Sequence, residues 1–329
     1  MRELYPGAYI TWVVDDRCAE ILEGNTAINQ LLIFPRFALI QAVRAGKYGL
    51  AAELLSDFTK ILRSRKYDLS LDLHGLFKSA VIALIAGAKL KVGSSSTNGM
   101  REGSWIVSKQ VKRADNAGHC IVRHLEAIKY LGGDITKKVF EINISENERV
   151  FIDNLLKKNG VNTAGKVVVF HVGGGWASRR WLPEKFAELA DKLVEQYKII
   201  PVFVGGEVGG KAEVGLVESV IALMKTKALD FANMLTLKQY SALLKRSVMF
   251  IGNEAGPMHI AGALGVPVVA IIGPTDPGRT GPYGDKNIVV RKKVNCAPCR
   301  KRDCQLRICI DKISVEEVFN AAGKWMIDG

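Results

Sequence analysis

Short apolar runs alternate with longer amphipathic segments along the chain. In the second half, Lys166–Val172 and Val266–Ile272 are apolar at nearly every position, as expected of strands buried on both faces of a parallel sheet. An amphipathic segment, Pro183–Gln196, follows the first of these runs and has the spacing of a helix. The alternation predicts an α/β fold assembled from βαβ units.

The first half alternates in the same way, although its segments are shorter. Strands are predicted at Ala8–Val14, Gln30–Phe34, Tyr67–Leu73 and Leu90–Gly93. The segment Phe37–Arg65 is amphipathic and predicts a helix interrupted around Gly46–Gly49. Both halves therefore predict Rossmann-like domains with parallel sheets.

A length of 329 residues exceeds the usual size of one domain. The segment Gly160–Gly165 is rich in small and polar residues and is the best candidate for a linker. We therefore predict an N-terminal domain over residues 1–160 and a C-terminal domain over residues 161–329.

The stretch 248–284 carries the strongest signal for a ligand. Gly256 permits close approach of a ligand to the backbone, and Pro257 opens a helix whose first N–H groups favour an anion. Glu254 can accept hydrogen bonds from sugar hydroxyls, and Ala255 and His259 lie beside it. A tightly packed βαβ corner would have the same residue types, so both interpretations stay open.

A second candidate corner follows the run of valines at 167–169. Three glycines stand there, and a guanidinium, Arg179, comes shortly before the next predicted helix. Backbone N–H groups can surround a phosphate while the arginine neutralises its charge. A further carboxylate, Glu207, follows the next strand and can meet ligand hydroxyls. The three glycines are Gly173, Gly174 and Gly175.

Polar residues also follow a predicted strand of the first half. His74 and Lys78 come after Tyr67–Leu73, and Arg101 lies in a later polar loop. Because parallel sheets carry their sites at the carboxyl ends of their strands, these residues are candidates for binding a second substrate. A strand-end cap for His74 and a solvated helix charge for Lys78 are the alternatives, and the residue types favour them slightly.

The formal net charge is +13, which favours anionic partners. No nucleic-acid-binding motif accompanies the charge, so an anionic lipid or an anionic acceptor is favoured over nucleic acid. A basic solvated surface without a specific partner is the alternative. The longest apolar run, Ala80–Ala88, is too short to cross a bilayer, and no leader precedes it. We expect a cytoplasmic protein.

Four of the six cysteines lie close together near the C-terminus. Their spacing begins with C-x-x-C, which suits zinc or an iron–sulfur cluster, but the later spacings match no motif. Reduced structural thiols are the alternative, and a reducing compartment fits the overall cysteine count. The four residues are Cys296, Cys299, Cys304 and Cys309.

Taken together, HVGGGWASRRWLPEKFAELADKL, NEAGPMHIAGALGVPVVAIIGPTDP, DLHGLFKSA and the cysteine-rich tail resemble glycosyltransferase family 9, the ADP-heptose:lipopolysaccharide heptosyltransferases. The resemblance spans nearly the whole chain. It implies a GT-B fold with a central cleft, an acceptor-binding N-terminal domain, a donor-binding C-terminal domain and a last helix that crosses back. It also implies an inverting, metal-independent transfer without a cofactor.

The resemblance assigns the donor site to the two glycine corners, with Arg179 at the position where the family usually has lysine. The family commonly has Asp followed by Ser or Thr where this chain has Glu254 and Ala255. Both departures are expected to influence the choice of sugar. The acceptor implied is lipid A–Kdo or a heptosylated inner core at the inner face of the inner membrane.

Members of the family begin with a strand and a turn that carries the aspartate regarded as the general base. The sequence starts about one strand-turn-helix unit later, so the matching residue is expected upstream of Met1. Without that base we expect transfer to be slower by roughly 10²–10⁴-fold. The alternatives are a catalytically silent nucleotide-sugar-binding protein, a transferase for another sugar nucleotide, and a basic nucleic-acid-binding protein.

Overall fold

The protein consists of two compact units, Met1–Val139 and Phe140–Gly329. The boundary predicted from the sequence, 160/161, falls later, beyond a helix that packs within the second unit. The computed structural model describes residues 1–94, 109–111, 118–136, 138–206, 211–299 and 301–327.

The first unit contains parallel strands in two sheets. Its strands are β1 (Thr11–Asp15), β2 (Gln30–Phe34), β3 (Leu69–Asp72), β4 (Leu90–Ser94) and β5 (Lys109–Val111). Its helices are α1 (Arg36–Arg44), α2 (Tyr48–Arg63), α3 (Phe77–Ile85) and α4 (Cys120–Tyr130), and a 3₁₀ helix spans Asp16–Leu22. Strand β1 pairs with β2, and β3, β4 and β5 form the second sheet in that order.

The interruption predicted in the first long helix is confirmed. Helix α1 begins after Pro35, and the Phe37 N–H donates to the Asp16 carboxylate at 2.7 Å. The chain then turns at Gly46, whose φ of +70° is a conformation that favours glycine, before α2 starts. On the inner face of α2, Phe58 packs edge-on against Phe34 with ring centroids 5.1 Å apart. This contact anchors α2 to β2.

The second unit is larger and contains a six-stranded parallel sheet. Its strands are β6 (Val167–His171), β7 (Ile200–Val204), β8 (Leu229–Asp230), β9 (Met249–Asn253), β10 (Val268–Ile271) and β11 (Asn287–Val290). Its helices are α5 (Glu146–Lys158), α6 (Pro183–Tyr197), α7 (Lys211–Leu223), α8 (Leu237–Arg246), α9 (Gly256–Ala263), α10 (Pro277–Thr280), α11 (Ile308–Asp311) and α12 (Val315–Ile327).

The strand order of this sheet is β11-β10-β9-β6-β7-β8. Numbered within the unit, this is the 3-2-1-4-5-6 order of a Rossmann fold read from the other edge. Strands β6 and β9 are neighbours although they are not consecutive, and Val169 pairs with Phe250. The order of strands therefore reverses between β6 and β9, where open α/β sheets bind ligands beyond their carboxyl ends.

The valine-rich sequence of β6 is explained by burial on both faces. Val167 and Val169 join one hydrophobic cluster with α5, α8 and α9, whereas Val168 and Phe170 join another with α6, α7 and α12. All four residues have no exposed surface. The predicted α/β architecture with parallel sheets is confirmed, and the six-stranded sheet has helices on both of its faces.

Residues 160–165, predicted as a linker, form a turn that is fixed to the second unit. Helix α5 begins with a capping box formed by Ser145 and Glu148. After α5, Gly160 adopts a φ of +81° and Val161 is 6 % exposed. The Arg246 guanidinium donates to three carbonyl groups of the turn, and the shortest of these bonds is 2.7 Å. Helix α5 also packs against α8.

Among the helices in the described part of the chain, none is long and apolar enough to cross a membrane. The last helix, α12, packs against α6, β10 and β11 of its own unit. Its predicted crossing to the N-terminal domain stays a prediction.

The N-terminal cap of α12 contains a carboxylate with a strongly lowered pKa. Glu317 accepts from Lys292 at 2.6 Å and from the backbone and hydroxyl of Ser314 at 2.9 and 2.8 Å. The Lys292 ammonium and then the Ser314 N–H hold the pKa of Glu317 at about 2, below the usual 4.5. The lowered pKa means that the charged carboxylate stabilises the folded chain above about pH 4.5, and the contribution is lost as pH falls towards 2.

We expect Glu317→Gln to lower the free energy of unfolding at pH 7 by about 0.5–1 kcal/mol, since solvent screens this partly exposed pair. The variant should also lose less stability than the wild type between pH 5 and pH 3. Urea unfolding at several pH values measures both effects. Glu188→Gln removes a more exposed carboxylate, 4.0 Å from Lys192, and is the matched control. An unchanged acid dependence in Glu317→Gln would contradict the assignment.

Candidate functional site

A buried amide side chain joins the two corners at the switch point. Asn253, the last residue of β9, has no exposed surface. Its Nδ2 donates to the carbonyl oxygens of Val172 at 2.8 Å and Gly173 at 3.1 Å, and its Oδ1 accepts from the Trp181 N–H at 3.1 Å. One side chain therefore fixes the loop after β6, the start of the chain into α6 and the turn after β9.

Strands β6 and β9 approach each other closely just before these corners. A Cβ atom on Gly252 would lie 2.8 Å from the His171 carbonyl oxygen and 2.9 Å from the Phe250 ring. A side chain at this position would push the two strands apart. Gly252 thus permits the approach that brings Asn253 within hydrogen-bonding distance of the first corner.

The loop after β6 presents backbone at its tip. Gly173 and Gly174 are buried, whereas Gly175 is exposed and a Cβ there would meet nothing within 4 Å. The Arg180 side chain contacts the loop, and its Nε donates to the Gly174 carbonyl at 2.8 Å. The Arg180 side chain therefore fixes the loop, while Gly175 at its tip remains accessible.

Arg179 and Glu254 connect the two corners electrostatically. The Arg179 Nε lies 3.6 Å from a Glu254 carboxylate oxygen, and the two side chains are 21 % and 4 % exposed. Within the described part of the chain, this Nε makes no hydrogen bond. The guanidinium also stacks on Trp176, with 3.8 Å from its carbon to the ring centroid. The cation predicted for the first corner and the carboxylate predicted for the second thus form one pair.

The Glu254 carboxylate is held by two hydroxyl groups as well. Thr275, in the loop after β10, donates to one oxygen, and Thr280 in α10 donates to the other at 2.8 Å. A carboxylate oxygen has more than one acceptor position, so a ligand hydroxyl can still reach it. In its present contacts, however, Glu254 orients Arg179.

The turn after Glu254 leads into α9. Ala255 is the N-cap residue and has no side-chain oxygen to accept from the N–H groups of the first turn. Gly256 is exposed, and a Cβ at this position would meet nothing within 4 Å. The Tyr240 hydroxyl donates to the Pro257 carbonyl at 3.2 Å, and burial raises the pKa of Tyr240 well above its ordinary value. His259 lies on the exposed side of the helix.

The cysteine-rich tail packs against the first corner. Ser178 donates from its hydroxyl to the Lys301 carbonyl at 2.8 Å and from its N–H to the Arg302 carbonyl at 3.4 Å. The Arg302 guanidinium lies over the Trp176 ring, 5.5 Å from its centroid, in addition to Arg179. Arg307 binds the Arg180 carbonyl and the Asp311 carboxylate. The tail thus supports the segment that carries Arg179.

The four tail cysteines are free thiols in the structure. Burial raises the pKa of Cys309, and the other three thiol groups raise it further when they ionise. Across the described residues, no group of three His, Cys, Asp or Glu side chains is placed to hold a metal ion. Metal binding and reduced structural thiols both remain predictions for these residues.

Two of the predicted acceptor residues belong to the first unit, and two further predicted site residues are not described by the structure. His74 and Lys78 are exposed beyond β3 of the first unit, where Asp72 accepts from the N–H groups of His74 and Gly75 at 3.1 and 2.8 Å. Glu207 and Arg101 lie outside the described residues. The acceptor-side assignment of His74, Lys78 and Arg101 stays a prediction.

Several residues that shape the site were absent from the sequence prediction. Asn253 directly precedes Glu254 in the sequence, whereas Thr275 and Thr280 reach Glu254 only in the folded chain. The sequence alone does not indicate which groups these polar side chains bind. Trp176 lies between the glycines and Arg179 in the sequence. An aromatic residue at this position could have suggested cation–π stacking with the arginine.

These features define a Rossmann-type α/β protein with two corners suited to an anion at its switch point. A family model described as "Glycosyltransferase family 9 (heptosyltransferase)" matches residues 55–309. The chain belongs to glycosyltransferase family 9. It is therefore a glycosyltransferase, and the predicted GT-B fold is confirmed.

Known proteins of the family support this conclusion. The chain is 26 % identical over 290 residues to the lipopolysaccharide core heptosyltransferase OpsX of Haemophilus influenzae, covering 88 % of this chain and 77 % of the relative. It is 25 % identical over 311 residues to lipopolysaccharide heptosyltransferase 1 of Pseudomonas aeruginosa, covering 91 % and 79 %.

Solved structures show the same fold. A family 9 glycosyltransferase from Veillonella parvula aligns with a TM-score of 0.82 at 22 % identity, covering 100 % of this chain and 91 % of that one. The E. coli heptosyltransferase WaaC with ADP aligns with a TM-score of 0.76 at 20 % identity, covering 98 % and 92 %.

We expect Asn253→Ala to lower the free energy of unfolding by about 2–4 kcal/mol, because it leaves a buried N–H and two buried carbonyl groups without their partner. Urea unfolding monitored by tryptophan fluorescence measures the loss. Asn159→Ala is the matched control, because Asn159 is exposed and its Nδ2 donates only to the Leu155 carbonyl. Equal stability of the two variants would show that the Asn253 bridge does not hold the corners together.

Proposed function

We propose that the chain transfers a heptose from ADP-heptose to the inner core of lipopolysaccharide. The main support is the joined pair of corners, in which Arg179, an exposed glycine tip and the start of α9 lie at the switch point of the sheet. A diphosphate requires cationic and N–H donors of this kind. The names of the relatives supply the sugar and the acceptor, which the geometry of the corners does not determine by itself.

In this proposal the acceptor is lipid A–Kdo or a heptosylated core, and the reaction takes place on the cytoplasmic side of the inner membrane. The protein would associate with the membrane surface without crossing it. The reaction needs no cofactor and no metal ion, because the cationic residues supply the charge that the leaving group requires. Transfer that persists unchanged in excess EDTA would support this point.

The reaction proceeds as a single displacement. The acceptor hydroxyl oxygen forms a bond to the anomeric carbon while the bond from that carbon to the diphosphate oxygen breaks. ADP leaves with the electron pair, and the hydroxyl proton passes to a base. We assign that base to none of the described residues.

Each residue of the donor site has a separate part in this step. Arg179 and the exposed tip of the Gly173–Gly175 loop stabilise the negative charge that develops on ADP, as does the N-terminus of α9. Glu254, held by Thr275 and Thr280, orients Arg179 and is proposed to contact a sugar hydroxyl. The carboxylate of Glu254 reaches one methylene further than the aspartate that the family commonly has, and Ala255 offers no hydroxyl. Both differences are proposed to influence the choice of sugar.

We expect Arg179→Ala to raise the Kd for ADP-heptose by about tenfold to a hundredfold, because it removes a charge-assisted contact to the diphosphate. The Kd for ADP alone should rise to a similar extent, whereas Arg179→Lys should give a smaller rise. Isothermal titration calorimetry measures all three.

Arg149→Ala is the control, since Arg149 is an exposed arginine of α5. An unchanged Kd in Arg179→Ala would reject the assignment of the diphosphate site. The wild type could also bind ADP but transfer a sugar other than heptose to a lipopolysaccharide acceptor. That result would support the diphosphate site and would reject heptose as the donor sugar.

A further inference from the structure

Helix α1 exposes a strip of large apolar side chains. Phe37, Ile40 and Val43 are 53 %, 39 % and 50 % exposed, and we refer to these three residues as the outward strip. Tyr48, which begins α2 after the short turn, is 69 % exposed. Scattered apolar residues on a surface are ordinary, whereas three on one face of a nine-residue helix indicate a contact surface.

The outward strip is one face of an amphipathic helix. Successive residues of a helix are about 100° apart, so the three side chains of the strip fall within an arc of about 120°. On the opposite side, Ala42 is 4 % exposed and Leu39 is partly buried. Helix α1 therefore packs through small and aliphatic residues on its inner side and presents its largest apolar side chains outward.

The charge around the outward strip is mainly positive. Residues 36–66, which include α1, α2 and the segment after them, contain seven Lys or Arg residues and two Asp or Glu residues. By helical spacing, Arg36 and Arg44 fall within the same arc as the strip, and Lys47 is in the turn that follows. Arg44 and Lys47 are exposed, whereas Arg36 is paired with Asp15 at 3.1 Å.

Large apolar side chains framed by cations match the chemistry of an anionic lipid surface. The apolar groups enter the boundary between headgroups and acyl chains, while the cations meet the headgroup charge. An acidic protein partner would pair with the cations. It would not explain why a phenylalanine, an isoleucine and a valine point outward beside them. The positive charge also opposes close approach of a second copy of the same face.

We propose that the α1–α2 hairpin, residues 36–63, is the surface by which the protein docks on an anionic lipid bilayer. Helix α1 lies in the plane of the interface with the outward strip directed into the lipid, and Arg44 and Lys47 contact the headgroups. The proposal extends the proposed function, in which the acceptor is linked to lipid. The docking itself requires only the lipid.

The test measures sedimentation of the full chain with vesicles that contain no lipopolysaccharide. One set of vesicles is phosphatidylcholine alone, and the other contains phosphatidylglycerol as well. Two variants change the hairpin: Phe37→Ser with Val43→Ser, and Arg44→Glu with Lys47→Glu. Circular dichroism and thermal unfolding check that both variants fold, as expected for exposed positions.

Helix α5 provides matched controls. Phe151→Ser with Val150→Ser removes the same two side-chain types, which are 41 % and 47 % exposed there. Arg149→Glu with Lys158→Glu makes the same change in charge on exposed positions of α5. The controls separate docking by the hairpin from a general effect of surface hydrophobicity or net charge.

We expect the wild type to bind vesicles with phosphatidylglycerol and to lose binding as salt is raised. The apolar double variant should bind about tenfold more weakly. The charge-reversed variant should bind at least about twentyfold more weakly. Both α5 controls should bind as the wild type does.

Three results would overturn the proposal: equal binding of the wild type to phosphatidylcholine alone, equal losses in the α5 controls, or wild-type vesicle binding in both hairpin variants. A wild-type dimer that becomes a monomer in Phe37→Ser with Val43→Ser, without weaker vesicle binding, would assign the strip to self-association and would also overturn it.

Transfer to a deacylated, water-soluble acceptor separates this proposal from the proposed function. The hairpin variants should keep wild-type transfer to that acceptor. Loss of vesicle binding with normal transfer supports docking. Normal vesicle binding with no transfer to any acceptor would instead count against the proposed function and leave the docking surface in place.

Discussion

The two glycine corners at the switch point of this glycosyltransferase depend on one buried amide. Asn253 has donors and an acceptor on a single rigid group, so it can satisfy two carbonyl groups and one N–H at the same time. Those three backbone groups belong to residues that are 72 to 81 positions away from it in the chain. All three groups are removed from water. Without this side chain each would lack a hydrogen-bond partner, which would lower the stability of the fold. The geometry of both loops therefore follows from one position at the end of β9.

Electrostatic contacts add a second layer around this bridge. Glu254 is almost fully buried, so its charge requires a nearby cation and hydroxyl donors, which are Arg179, Thr275 and Thr280. The same cation stacks on Trp176, which the tail segment also contacts through Arg302. Residues from the loops after β6, β9 and β10, with those of the tail, thus restrict the guanidinium to a small region. A binding group placed in advance costs less entropy when the ligand arrives.

Much of the fold was predictable from local patterns. The nearly unbroken apolar run of β6 and the glycines at the break between α1 and α2 both act within a few residues, and both predictions were confirmed. The linker prediction relied on composition alone. Gly160 and its neighbours resemble a flexible connection, but the Arg246 guanidinium and the packing of α5 on α8 fix this turn to the second unit. Such contacts join positions about 80 residues apart and leave no local signal.

The amino-acid sequence by itself determined the alternation of strands and helices, the two glycine corners and the resemblance to family 9, because these depend on residue type and short-range spacing. Only the tertiary structure decided that β6 and β9 are neighbours, since strand order depends on how distant segments pack. It also decided that Arg179 and Glu254 form a pair and that Asn253 joins their loops. The residue types were visible in the sequence, but their partners lie more than 70 positions away, where no helical or strand periodicity connects them.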